Sequence, residues 1–235
     1  MQLTAPAKLT LSLRITGRRD DGMHLIDAEM VTLDLADLVW VDDTAMATIV
    51  SYAGEYPVSI PFEDDLVAKA MELVGGHASI TVHKHIPPRA GLGGGSADAA
   101  AILRWAEFGD LDQAAAIGAD VAFCTVGGRA RVGGIGEVVE PLPFSEHRFT
   151  LLIPDYGCST AEVYAKWDEL GGPEGENGND LEPAALAVEP RLVDDRDRLG
   201  NITGQRPRLA GSGSTWFVEG AFPGGGRIVA QTVPA

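Results

Sequence analysis

Between Pro87 and Asp98 the chain reads Pro-Pro-Arg-Ala-Gly-Leu-Gly-Gly-Gly-Ser-Ala-Asp, and an alanine-rich run follows. Gly91, Gly93, Gly94 and Gly95 carry no Cβ, so their amides can approach an anion closely. A helix opening at the end of the run adds unpaired N–H groups and the positive end of its dipole. Pro87, Pro88, Arg89, Ala90, Gly91, Leu92, Gly93, Gly94, Gly95, Ser96 and Ala97 therefore form a candidate phosphate-binding segment, and the Ser96 hydroxyl is available to phosphate or to a metal ion carried with it. Two common alternatives fit poorly. Gly91, Gly93 and Ser96 lack the third glycine of the dinucleotide fingerprint, and no Gly-Lys-Ser/Thr follows as a P-loop requires. Elsewhere, Asp120 in Gly118-Ala119-Asp120-Val121 reads on its own as a turn-capping aspartate, and Lys8, in an apolar strand pattern, as a solvated strand lysine.

The elements that must position these groups follow from periodicity. Leu9 to Ile15 alternates as a strand with one buried face, and Gly17 to Gly22 breaks it as a turn. Met30 to Val41, Ala47 to Ile60 and Ala78 to Ile86 read as further strands, and Leu66 to Leu73 as a helix stopped by Gly75-Gly76. The last of these strands leads into the glycine run, after which Ala97 to Phe108 predicts a helix with Ser96 near its N-cap. Leu111 to Ile117 predicts a short helix, Gly118 to Asp120 a loop, and Arg129 to Val139 a hairpin. Phe149 to Ile153 is a strand, Thr160 to Leu170 a helix and Gly171 to Gly178 a connector; the charged segment Asp194 to Arg208 reads as mobile. Strands and helices mix without steady alternation, which favours an α+β fold of two lobes, 1–147 and 148–235, over a doubly wound sheet.

Composition narrows the class. The chain has 235 residues, 45% apolar and 22% charged, enough for a substantial core. The N-terminus lacks a basic or apolar leader and the two cysteines suggest no disulfide framework, so cytoplasm is the expected compartment. A formal charge of −16 argues against nucleic acid and anionic membranes as partners, but says little about a nucleotide site built from local amides. His83 and His85 share a strand face, yet with Lys84 between them they read as a solvated edge strand rather than a zinc site with His77. The acidic clusters at Asp42-Asp43, Glu63-Asp64-Asp65 and Asp194-Asp195 read as exposed turns.

Pro6-Ala7-Lys8, Gly17-Arg18-Arg19-Asp20-Asp21-Gly22-Met23-His24, Gly91 to Asp98, Gly118 to Val121, Asn179-Asp180-Leu181-Glu182 and Ala210-Gly211-Ser212-Gly213-Ser214 occur in that order. Together they resemble the superfamily of galactokinase, homoserine kinase, mevalonate kinase and phosphomevalonate kinase, the GHMP kinases. The basic turn ending in Asp-Gly-x-His is similar to the branch acting on a cytidine diphosphate-linked methylerythritol in non-mevalonate isoprenoid synthesis. The resemblance implies a ribosomal-protein-like first lobe that binds ATP and a ferredoxin-like second lobe, here shortened. It makes Asp120 and Lys8 the catalytic pair, ATP with Mg²⁺ the donor, and a small alcohol the acceptor, in a monomer or homodimer. His24 would read the cytosine edge, one ring nitrogen donating and the other accepting; Tyr164 would stack on the base, with Thr10, Met23 and Thr160 around it. Gly211, Ser212 and Gly213 would support the phosphate loop. The chain departs from the branch where Met23 replaces a usual tyrosine and Thr10 a usual asparagine, leaving stacking to a polarizable sulfur. A sister kinase for homoserine or mevalonate, and a silent nucleotide-binding protein, remain open on these residues.

Overall fold

The computed structural model describes residues 1–235. Apolar alternation extends further than the sequence pattern indicates: β1 (Gln2–Arg18) and β2 (His24–Asp42) form one long antiparallel hairpin. Its turn is closed by the Arg19 N–H on the Met23 carbonyl and by Gly22 at φ 90°. One edge of β2 pairs with β1. The other is shared by β4 (Ser79–Lys84), against Leu38–Asp42, and β5 (Arg129–Gly134), against Ile26–Val31. β3 (Ile49–Gly54) runs parallel to β4, and β6 (Val138–Pro141) completes the hairpin with β5, giving a six-stranded sheet. The β1–β2 register shifts between Pro6 and Lys8, and there the Lys8 N–H donates instead to the Leu92 carbonyl at 3.0 Å. An irregularity of this kind re-aims a side chain next to a functional loop.

Helix α1 (Leu66–Leu73) starts on Asp65, whose carboxylate accepts from the Val67 and Ala68 N–H groups. Helix α2 (Gly94–Trp105) begins inside the glycine run, earlier than expected. Gly93 at φ 67° turns the chain into the helix as its N-cap, so Ser96 is the third helical residue and not a cap. Ala97, Ala99, Ala100 and Ala101 are small enough to bring α2 close against β1. Helices α3 (Leu111–Ile117) and α4 (Val121–Val126) follow.

The second sheet has the order β10-β7-β9-β8, from β7 (Arg148–Leu152), β8 (Arg208–Leu209), β9 (Trp216–Glu219) and β10 (Arg227–Gln231), all antiparallel. That is the strand order of a ferredoxin-like unit, but residues 220–226 join β9 to β10 as a loop where the unit would carry a helix. Helices α5 (Thr160–Glu169), α6 (Glu182–Val188) and α7 (Leu192–Thr203) lie between β7 and β8. The charged run read as mobile is mostly α7: Leu192 and Leu199, seven residues apart, are buried, and the charges decorate its solvated faces. The two sheets share apolar core. Leu9, Val31, Leu33 and Ile86 pack in one cluster with Phe149, Leu151, Phe217 and Ala230, and the Val233 N–H returns to the Thr32 carbonyl.

A second correction concerns His83 to His85. β4 is interior, between β3 and β2, and Lys84 is buried. His83 lies with its ring centroid 4.5 Å from that of Trp40.

Candidate active site

Lys8 reaches the site from the irregular point of β1. Its Nζ lies 3.2 Å from Asp120 Oδ2 and donates to Thr10 Oγ1 at 3.1 Å. The lysine is buried, while the aspartate, immediately before α4, keeps about a third of its side chain (31%) open. Space for the lysine stem is made by Gly93, where a Cβ would stand 2.7 Å from Lys8 Cγ. Residues 8 and 120, 112 positions apart, are thus held together with the glycine loop between β4 and α2.

The loop is braced from the second sheet. A Cβ on Gly91, at φ 75°, would stand 2.5 Å from the Ala210 carbonyl oxygen and 2.7 Å from that of Gly213. The Thr215 N–H donates to the Ala90 carbonyl at 3.2 Å. Buried Asn179 donates to the carbonyls of Leu209 (2.9 Å) and Gly211 (2.7 Å), and Ser212 shares a 3.0 Å hydrogen bond with Thr160. Gly211, Ser212 and Gly213 therefore pack against the loop.

Two cavities meet at this point. A narrow one of about 270 Å³ runs along residues 87–96 and is walled by Tyr52, Val58, Ile60 and Leu66. A larger one of about 640 Å³ takes in Lys8, Thr10, Met23, His24 and Tyr164. Gly91, Asp120 and Thr160 line both. Of the expected phosphate-binding residues Ala97 alone does not line the narrow cavity, because it lies on the buried face of α2; the Leu92 side chain is also in the core. The unpaired amides at the start of α2 make the narrow cavity suited to phosphate.

In the larger cavity His24 Nε2 is 2.9 Å from Asp168 Oδ1, and Arg18 Nη1 is 3.3 Å from Asp168 Oδ2. The His24 ring lies 4.8 Å from Tyr164 and edge-on to Trp167 at 5.6 Å. Burial, and then the Asp120 charge, push the Tyr164 phenol well above its usual range, so it stays protonated.

The narrow cavity is lined by the glycine loop and the larger one by Thr10, Met23, His24 and Tyr164, with the Asp120 carboxylate at their junction. The family of GHMP kinases N terminal domain matches residues 65–128, which include the loop, α2 and Asp120. A 4-diphosphocytidyl-2-C-methyl-D-erythritol kinase of Paracoccus denitrificans is 38% identical over 233 residues, 91% of this chain and 84% of that protein. The chain belongs to the 4-diphosphocytidyl-2-C-methyl-D-erythritol kinase family. A relative of the same name from Cereibacter sphaeroides is 37% identical over 244 residues, covering 91% and 87%. A crystal structure of 4-(cytidine 5'-diphospho)-2C-methyl-D-erythritol kinase superposes with a TM-score of 0.71 at 30% identity, covering 92% of this chain and 89% of that one.

Sequence reasoning missed a buried charge cluster of this GHMP kinase. Under the loop, Lys84 Nζ donates to Asp37 and, at 2.6 Å, to Asp98 Oδ2, all three residues being buried. Asp37 Oδ1 also accepts from the N–H groups of His85 (2.5 Å) and Ile86 (2.8 Å). Asp98 Oδ1 has no partner. Burial pushes the Asp98 carboxyl up to about 7, with Lys84 opposing and Asp37 adding to the rise. Lys84 and Asp98 line the narrow cavity, so the cluster ties the end of β4 to the first turns of α2 beneath the phosphate segment. Its signal was present: Ile80, Val82 and Lys84 occupy one face of β4. Asp168 and Arg18 were also missed, since only the fold brings α5 to the β1–β2 turn.

Proposed function

We propose that this kinase transfers the γ-phosphoryl group of ATP to the tertiary hydroxyl at carbon 2 of 4-diphosphocytidyl-2-C-methyl-D-erythritol, a step of non-mevalonate isoprenoid precursor synthesis. The observation that carries it is the Lys8–Asp120 pair at 3.2 Å, in which Asp120 lines both cavities and Lys8 the larger one. The glycine loop and the start of α2 hold the phosphates by backbone amides. Asp120 accepts or orients the proton of the crowded acceptor hydroxyl, and Lys8 offsets charge developing at the same centre. Thr10, Met23, His24, Thr160 and Tyr164 surround the acceptor, with residues 1–147 supplying most of the donor side and 148–235 the Tyr164 wall and the loop support.

A magnesium ion fits the residues present as a passenger on the nucleotide. No group of three or more His, Cys, Asp or Glu side chains converges into a ready cage. Magnesium commonly takes most of its oxygens from phosphate and water in such sites. The Ser96 hydroxyl and the unpartnered Asp98 Oδ1 are the protein oxygens on that cavity that would hold it. Bound there, the ion would neutralise phosphate charge.

The test is ADP release with a panel of alcohols: the cytidine-linked methylerythritol, homoserine and mevalonate. Preference for the first is expected. Preference for another alcohol overturns the substrate, and nucleotide binding without turnover of any panel member overturns the activity.

A further inference from the structure

His24 has one ring nitrogen committed to the protein and one that is not. Asp168 accepts at Oδ1 from His24 Nε2 and faces Arg18 Nη1 with Oδ2. A carboxylate between these groups is an acceptor only, so Nε2 must carry the proton. A neutral ring completes that contact through Nε2–H alone. Nδ1 then holds a lone pair, and no protein group donates to it. The ring cannot swing away: its face lies near Tyr164 and its edge is met by Trp167, whose own Nε1–H is held by the Pro173 carbonyl at 2.9 Å. A ligand entering the larger cavity therefore meets a fixed acceptor on the His24 side.

We propose that Asp168 is a specificity-determining positioning residue: it locks His24 in the Nε2–H form, so that the cavity selects a nucleobase presenting an amino group, cytosine, over one presenting an oxo group, uracil. The proposal rests on the cytidine-linked acceptor proposed above. The cytosine amino group donates to Nδ1, whereas the uracil oxygen would set lone pair against lone pair in a partly dry site. Leaving such a polar pair unmatched costs roughly 10- to 100-fold in affinity.

Asp168→Asn reverses the assignment without changing shape. Arg18 holds the amide oxygen, which turns the amide N–H₂ toward Nε2, makes Nε2 the acceptor and moves the ring proton to Nδ1. Two measurements at pH 8, where an ordinary imidazole is neutral, test this: the ¹⁵N signature of the His24 ring, and kcat and KM for the cytidine-linked substrate and its uridine-linked analogue. Wild-type protein is expected to show Nε2–H and to prefer the cytidine compound by roughly 10- to 100-fold. Asp168→Asn is expected to show Nδ1–H, with the loss falling on KM, and with the preference narrowed or inverted. Should that variant fail to fold, Asp168→Ala is expected to give a mixture of ring forms and a preference reduced at least several-fold. An Nδ1–H ring in the wild type, or an unchanged base preference once the ring form has switched, overturns the proposal while the cytidine reading survives. Wild-type turnover of neither pyrimidine compound overturns both.

Discussion

Lys84→Met removes the single cation shared by two buried carboxylates while keeping nearly the same length of side chain. Asp37 is 0% exposed, Asp98 1% and Lys84 4%, so water does not replace what is lost. Removing one partner of a buried pair costs about 3–5 kcal/mol. The cost is unevenly placed. Asp37 retains the His85 and Ile86 N–H groups, but Asp98, with Oδ1 already bare, retains no partner. For a protein of this size about 3–5 kcal/mol lowers Tm by roughly 6–20 °C. The pH dependence follows from Asp98, whose carboxyl rises from an ordinary 3.8 to about 7. Between those values the folded state holds a proton that the unfolded chain releases, so the stability this proton contributes is lost as pH rises through the folded value. Without Lys84, which opposes the rise, the window moves upward. The destabilisation is therefore expected to be largest at pH 8 and smaller at pH 6, and Lys84→Met with Asp98→Asn is expected to recover about 2 kcal/mol by deleting a buried charge. Urea unfolding followed by tryptophan fluorescence reads this, since Trp216 is fully buried. A Lys84→Met protein within about 1 kcal/mol of wild type at pH 8, against the buried-pair magnitude, or a double variant no more stable than the single, would refute the reasoning.

Asp120→Asn is expected to lower kcat by about 10²- to 10⁴-fold, with nucleotide affinity nearly unchanged by titration calorimetry; wild-type turnover in the folded variant would remove Asp120 from the mechanism. Gly93→Ala adds a methyl 2.7 Å from Lys8 Cγ at φ 67°, so a stability loss of about 1–2 kcal/mol for the backbone alone should accompany a fall in turnover. Chemical denaturation and steady-state kinetics measure the two effects. Burial pushes the thiol of Cys124 up to about 12 and that of Cys158 up to about 11; neither should react with an aromatic disulfide reagent at pH 8 until guanidinium unfolds the chain, and thiol titration before and after checks this.

The glycine loop was legible in the sequence because its residue types restrict the chemistry, whereas Lys8 and Asp120 were singled out by the resemblance, each alone reading as an ordinary strand lysine or turn aspartate. What joins them was less legible. The strand pattern places Lys8 on β1, but its aim depends on a register shift at Pro6–Lys8 that no periodicity reports. Helix α4, six residues long, is too short to show a period, and the glycines placed outside a helix starting at Ala97 in fact supply the left-handed N-cap of α2 and its first residues. The histidine-flanked Lys84 misled because its neighbours are polar. Its alternation with Ile80 and Val82 pointed inward, and the partner that makes burial tolerable, Asp37, lies 47 residues away on β2. Asp194 and Asp195 misled in the opposite direction: a charged run hides a buried pair as sparse as Leu192 and Leu199.

The same long-range pairing explains how a chain of net charge −16 can receive an anionic nucleotide. Lys8 and Lys84 are each matched by carboxylates, so neither is a free cation waiting for phosphate. Most acidic side chains lie on exposed turns and helix faces, and at physiological salt a charge farther than about 8 Å is largely screened. In the proposed site the amides at the start of α2 would act at contact distance, where salt does not intervene, and would add a positive pole without the desolvation cost of a buried lysine. Bulk at Gly91 or Gly93 would strike the Ala210 and Gly213 carbonyls or the Lys8 stem before it reached a phosphate. The glycines thus let one loop meet the second sheet behind it and the amine beside it while its front stays open to the narrow cavity.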